Sequence, residues 1–319
     1  MPYDPELEPG LAAFLELVEI VPLRADTIHT NRAHFATLVP PIEELVGDRP
    51  VEFTHHEVPG PAGAPPVAVT VLRPRGGTLA APGIYGIHGG GLILGTRFFG
   101  VAGLIEDVLR FGAVAATVEY RLAPEHPAPA AAEDCYAGLR WFAGHAAELG
   151  VDPARILVTG ASAGGGLGAA VALMARDRGG PALCGQLLQC PMLDDRNETV
   201  SSLQYDGIGA WDRTNNDTAW NAALGPLRGT DRVSPYAAPA RATDLSHLPP
   251  AYLDVGAAEV FRDETVDYAS RIWATGGQAE LHVWSGGYHG FAGFSAGAEV
   301  SRAAAAARLS WMRRILRVP

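Results

Sequence analysis

Apolar and polar positions change period along this chain. Residues 5 to 47 follow a helical spacing, with Leu11, Phe14, Leu15 and Val18 on one face and a break at Pro40-Pro41. From about residue 51 the apolar residues gather into short β-like runs at 51–58, 67–73, 83–88, 113–119, 155–159, 184–190, 250–255 and 279–284. Helical spacing returns between most of the later runs, near 98–111, 129–147, 163–178, 262–275 and 297–316. Strands that are apolar nearly throughout, alternating with helices, predict an α/β architecture: a mostly parallel eight-stranded sheet flanked by helices on both faces. One interval breaks the alternation. Residues 191 to 249 are rich in Pro, Asn, Asp and Trp, including Trp211 and Trp220, and are too long for a simple crossover. Together with residues 1–47 this stretch is expected to form a helical cap over the sheet's C-terminal edge, where open α/β sheets bind ligands. The division that follows is an N-terminal cap segment 1–47, a cap insertion 191–225, and a catalytic domain made of 48–190 and 226–319.

The most informative stretch is Arg155-Ile-Leu-Val-Thr159, then Gly160-Ala161-Ser162-Ala163-Gly164, then an apolar helical run from Gly165. Gly-x-Ser-x-Gly between a strand and a helix is a nucleophile elbow, in which glycines leave room for a sharp turn that presents the serine hydroxyl. Ser162 is therefore the candidate nucleophile. The overlapping glycines 164 to 168 also fit a loose dinucleotide pattern, but they fall inside the helix start, and no acidic residue closes the next strand at the required distance. A serine that attacks a carbonyl needs donors for the oxyanion. Ile87-His88-Gly89-Gly90-Gly91, after the strand 83–88, offers bare backbone N–H groups. Gly90, Gly91 and the N–H of Ala163 are the expected oxyanion hole, with His88 and Gly89 shaping the loop.

The base must come late if the order is nucleophile, acid, histidine. His289, in Ser285-Gly-Gly-Tyr-His-Gly-Phe291, meets that requirement, whereas His282 lies in a strand and His126 in a Pro-rich loop, where structural roles are expected. The acid should follow strand 250–255, leaving Asp254, Glu259 and Asp263. Glu259, four residues past the strand's end, is preferred; Asp254 sits at the strand tip and Asp263 suits a first helical turn.

Composition narrows the partners. With 319 residues, 48% hydrophobic and 18% charged, the chain can bury a large core. A net charge of -11 disfavours nucleic acid, whose binding needs clustered Lys and Arg. Cys135, Cys184 and Cys190 are odd in number and lie in apolar contexts, so they read as buried small hydrophobes in a reducing compartment rather than as a disulfide framework. The start of the chain is acidic at Asp4, Glu6 and Glu8, unlike a secretory signal, and no apolar run approaches the ~20 residues that span a bilayer. A cytoplasmic location and no integral membrane segment are expected.

Five ordered segments carry a resemblance: His88-Gly-Gly-Gly91, Val118-Glu-Tyr-Arg-Leu-Ala-Pro-Glu125, Gly160-Ala-Ser-Ala-Gly-Gly165, Glu259-Val-Phe-Arg-Asp263 and Tyr288-His-Gly-Phe291. From about residue 50 to 315 the chain resembles the hormone-sensitive-lipase-like group of esterases, including the bacterial family IV carboxylesterases, within the α/β-hydrolase superfamily. The resemblance implies hydrolysis of short to medium acyl esters through a Ser-His-Glu triad and an acyl-enzyme, with a small-molecule ester as substrate and with no cofactor or metal. A homodimer is compatible with it. Two positions depart from the commonest pattern: Ala161 stands where Asp is frequent, and Glu259 takes the place of Asp. An amidase or peptidase would share the fold, but no anchor for a charged substrate terminus is recognisable. A non-catalytic ligand-binding homologue would also share it, and the presence of His289 speaks against that.

Overall fold

A computed structural model describes residues 3–318 other than 19, 20 and 78. The chain opens with three helices, α1 (Glu8–Val18), α2 (Ile28–Thr37) and α3 (Ile42–Val46). Strands β1 (Val51–Val58), β2 (Val67–Pro74) and β3 (Ala81–Ile87) follow, and the βα alternation begins with α4 (Val101–Phe111) and β4 (Val114–Glu119). It continues through α5 (Ala130–Gly144), α6 (Ala146–Leu149), β5 (Val151–Ala161), α7 (Ala163–Asp177) and β6 (Gly185–Gln189). Between β6 and the next strand lie α8 (Val200–Gln204), α9 (Arg213–Leu224) and two short 3-10 turns. The chain closes with β7 (Ala251–Gly256), α10 (Arg262–Ala274), β8 (Ala279–Trp284), α11 (Phe291–Phe294) and α12 (Glu299–Leu316).

All eight expected strands form, in one sheet of order β1-β2-β4-β3-β5-β6-β7-β8. Only β2 runs antiparallel to its neighbours; β3 to β8 are parallel. This is why the later strands lack alternation: β3 is buried at every residue, whereas the edge strand β1 exposes Thr54 and His55. On one face α5 and α7 pack through Leu139, Phe142, Val171 and Met174; on the other α4 and α12 pack through Ile105, Val108, Trp311 and Met312. Gly83 and Gly86 in β3 make the close approach possible, since a Cβ would lie 2.9 Å from Val151 at the first and 2.6 Å from Leu104 at the second.

Three boundaries differ from the spacing. In the lead-in the expected break at Pro40-Pro41 separates α2 from α3, and a further turn, with Thr27 tied back to Pro22 and Arg24, precedes α2. The helix expected at 129–147 turns at His145, whose N–H and ring nitrogen both address the Trp141 carbonyl. Strand β5 begins at Val151, four residues early, because Val151 pairs with Ala81 and a register shift then absorbs the extra residues between Val151 and Ile156.

Ion pairs position the segments around the sheet's C-terminal edge. Asp134, buried in α5, takes both arms of Arg121 at 2.7 and 2.8 Å and fixes the loop after β4. Arg32 of α2 donates to the carbonyls of Ile93 and Ala123 and to Glu125. Asp195, fully buried after β6, accepts from Arg241 at 2.6 and 3.0 Å and from the Gly229 N–H at 2.9 Å, and so holds its loop at the sheet's edge. Replacing Asp195 by Ala would leave the Arg241 cation buried without a partner, at a cost of about 3–5 kcal/mol. Urea unfolding should show that loss; a change below about 1 kcal/mol would mean that water reaches Arg241 freely.

Candidate active site

Ser162 stands between β5 and α7 at φ 59°, ψ -126°, a conformation that residues with a Cβ rarely adopt. Its N–H donates to Gln189 O at 2.9 Å, and its carbonyl accepts from Gly166 and Met192, each at 3.0 Å. The glycines around it answer to contact. A Cβ on Gly160 would meet the Gly164 carbonyl at 2.3 Å, one on Gly164 the Ile87 carbonyl at 2.2 Å, and one on Gly166 the Met192 carbonyl at 2.0 Å. The run that mimics a dinucleotide pattern is thus a packing surface, where the first turns of α7 press on the ends of β3 and β6.

Two loops bring an acid and an imidazole to the elbow. Glu259, 2% exposed just after β7, takes the Gly256 N–H on Oε1 at 2.9 Å, and its Oε2 lies 2.6 Å from His289 Nδ1. His289, after β8, places Nε2 3.0 Å from Ser162 Oγ. With Nδ1 donating to the carboxylate, Nε2 is left as the acceptor for the serine hydroxyl. Phe261 closes one side of the ring edge-on, with centroids 5.1 Å apart. Burial pushes the imidazole's pKa down, while the adjacent Cys190 and Glu259 push it up, and the balance is well above the ordinary value. Burial also raises the Cys190 thiol.

The other two candidate acids go elsewhere. Asp263 sits in the first turn of α10, as expected, and accepts from the Ser201 N–H and from Arg262, both at 2.7 Å. Asp254 is buried in β7, where desolvation pushes it up to about 7. His282 pairs with Glu280 and stacks on Trp284, while His126 lines an apolar recess beside Leu92.

Gly89 runs against the elbow, since its Cβ would lie 2.9 Å from Ala161 O and 3.4 Å from Ser162 Cβ. Gly90 and Gly91 take φ of 117° and 61°, where glycine alone is at ease. Among the described residues nothing accepts a hydrogen bond from the N–H of Gly90, Gly91 or Ala163. His88 lies under the loop, stacked 4.1 Å from Tyr120, whose hydroxyl donates to the His88 carbonyl. Burial pushes its pKa down to about 4, so it is neutral and shapes the loop.

Sequence reasoning missed four contributors. Trp211, between α8 and α9, roofs the glycine loop: a Cβ on Gly91 would meet its ring at 2.5 Å. Phe261 and the Gly256 N–H orient the imidazole and the acid. Cys190 is beside the His289 imidazole rather than in an indifferent core position. No periodicity signals these, because each depends on which strands and loops become neighbours.

A strand-to-helix serine, a glycine loop beside it, and a buried Glu–His pair delivered after the last two strands define the α/β-hydrolase class. The comparisons agree. A family model described as alpha/beta hydrolase fold matches residues 84–307. The Carboxylesterase NlhH of Mycobacterium tuberculosis is 34% identical over 91% of this chain and 90% of its own length. Esterase LipI of the same species is 34% identical over 80% and 81%. The solved structure of a bacterial heroin esterase superposes with a TM-score of 0.88 at 38% identity, covering 99% of this chain and 98% of that one. The chain belongs to the alpha/beta hydrolase family, and the resemblance to the hormone-sensitive-lipase-like esterases holds. Among the described residues no helix is long and apolar enough to cross a membrane.

The packing of α7 against the glycine loop is directly testable. Gly164→Ala should lower stability by about 2 kcal/mol or more, because its Cβ meets two backbone carbonyls that cannot yield independently. A denaturation midpoint equal to wild type would mean that α7 can slide away from β3.

Proposed function

We propose that this protein is a carboxylic ester hydrolase acting on short to medium acyl esters through an acyl-enzyme, with Ser162 as nucleophile, His289 as base and Glu259 as orienting acid. The observation that carries the reading is the continuous hydrogen-bonded chain from Ser162 Oγ through both nitrogens of His289 to Glu259, at 3.0 and 2.6 Å, on a strained elbow. The family and the esterases named among its relatives support it.

In this mechanism Ser162 Oγ attacks the acyl carbon as its proton passes to His289 Nε2. Glu259 holds Nδ1–H and balances the imidazolium charge. The oxyanion enters the space faced by the unengaged N–H groups of Gly90, Gly91 and Ala163, each such donor contributing about 3 kcal/mol to the transition state. His289 then protonates the departing alcohol. Water repeats the cycle to release the acid. Segments 1–47 and 191–225 form the cap, with Trp211 over the glycine loop.

Ser162→Ala should reduce turnover of p-nitrophenyl acetate or butyrate on the order of 10⁴–10⁶-fold with the fold retained. Near-normal turnover would overturn the nucleophile. Glu259→Ala should cost on the order of 10³–10⁴-fold, while Asp263→Ala keeps the chemistry; a collapse of turnover confined to the Asp263 variant would exchange their roles. The pH profile tests the base. Catalysis needs neutral His289, activity falls as pH drops through the folded-state pKa, and that pKa is raised, so the acid limb of kcat/KM should lie above the ordinary imidazole value of about 6.5. A limb at or below that value would contradict the electrostatics described here.

A further inference from the structure

Beside His289 lies a thiol that the proposed chemistry does not use. Cys190 directly follows β6, has a left-handed backbone with φ 35°, and donates its N–H to Asp254 O at 2.6 Å. Its Sγ, a ring nitrogen of His289 and a carboxylate oxygen of Glu259 all lie within 4.8 Å of one another. The three residues are 8%, 9% and 2% exposed.

Thiolate sulfur, imidazole nitrogen and carboxylate oxygen are the donors that zinc takes in proteins. One thiolate and one carboxylate cancel the charge of a divalent cation, so the filled site carries no net charge into a desolvated pocket. Bonds of about 2.0–2.3 Å in a tetrahedron separate ligand atoms by roughly 3.3–3.8 Å, within reach of these side chains after an adjustment of about 1 Å. Water can complete the fourth position. The donor set also selects against magnesium and calcium, which take six or more ligands, overwhelmingly oxygen.

We propose that Cys190, His289 and Glu259 form an inhibitory site for a borderline-soft divalent cation, Zn²⁺ or Cd²⁺. Binding forms a metal–sulfur bond and releases the thiol proton to solvent. The carboxylate and the imidazole Nδ1 become ligands as the Nδ1 proton passes through solvent to Nε2, so Nε2 can no longer accept the serine proton, and hydrolysis stops without unfolding. A rate assay of this site rests on the ester-hydrolase reading, whereas cadmium absorbance does not.

The experiment has two arms. In the first, Zn²⁺ and Cd²⁺ are titrated against ester hydrolysis in chelator-free buffer, with each protein normalised to its own metal-free rate. Cys190→Ala should raise the half-inhibitory concentration by at least about tenfold, Cys184→Ala should follow wild type, and Mg²⁺ or Ca²⁺ should have no effect. In the second, Cd²⁺ is titrated into Ser162→Ala, which keeps all three donors but needs no turnover. A thiolate-to-cadmium charge-transfer band should saturate at one cation per chain and be missing from the Ser162→Ala, Cys190→Ala double variant. Equal inhibition of wild type and Cys190→Ala, or a band that survives loss of Cys190, overturns the site.

Discussion

The backbone of Ser162 is the constraint on which the rest depends. A residue with a Cβ at φ 59°, ψ -126° costs on the order of 1–3 kcal/mol and persists only where its surroundings leave no alternative. Here they are supplied by three backbone hydrogen bonds to Gln189, Gly166 and Met192, and by glycines that admit carbonyls where side chains would stand. The strain is local, but its supports reach across the central strands β3, β5 and β6. Stability of the sheet is thus what keeps the hydroxyl projecting from the turn.

The supports are layered. Nearest the serine, the glycine loop after β3 and the first turn of α7 lie in backbone contact, so neither can move alone. Beyond them, Glu259 is held by the Gly256 N–H and His289 by Glu259, which fixes the imidazole from behind. Farther out, Arg121–Asp134, Arg241–Asp195 and the Arg32 cluster hold irregular chain against the sheet's C-terminal edge. Asp134 and Asp195 are removed from water, which gives those two pairs a defined geometry that an exposed pair lacks.

How far the sequence could be read follows from the same physics. Strands covered on both faces, such as β3, β4 and β7, are apolar nearly throughout and were legible for that reason, whereas the edge strands β1 and β8 were legible as short β-like runs. The elbow was legible because its glycines are a steric necessity at fixed spacing, and His289 because few short loops after a late strand carry a histidine. The choice among Asp254, Glu259 and Asp263 was not closed by spacing alone. In the structure Asp263 turns away because the Ser201 N–H, sixty-two residues earlier in the chain, takes its carboxylate. Trp211 over Gly91 and Cys190 beside His289 have the same origin: they are products of strand order and of cap placement, which local pattern does not encode. The stretch ahead of Pro40-Pro41 was over-extended because periodicity survives across the turn that Thr27 introduces.

The start of the chain bears on the imidazole. The Asp4 N–H donates to Gly286 O at 3.1 Å, Tyr3 packs edge-on against Tyr288, and Ser295 Oγ donates to the Leu7 carbonyl at 3.2 Å. A clasp therefore joins the first described residues to the loop that carries His289, across more than 280 positions. During synthesis the elbow and the glycine loop emerge while that clasp is still impossible, and its closure must await nearly the last helix. The nascent chain can fold its central strands early, yet the loop that carries His289 stays unclasped until residues 286–295 have emerged, so assembly of the sheet and readiness of the site are separate events in time.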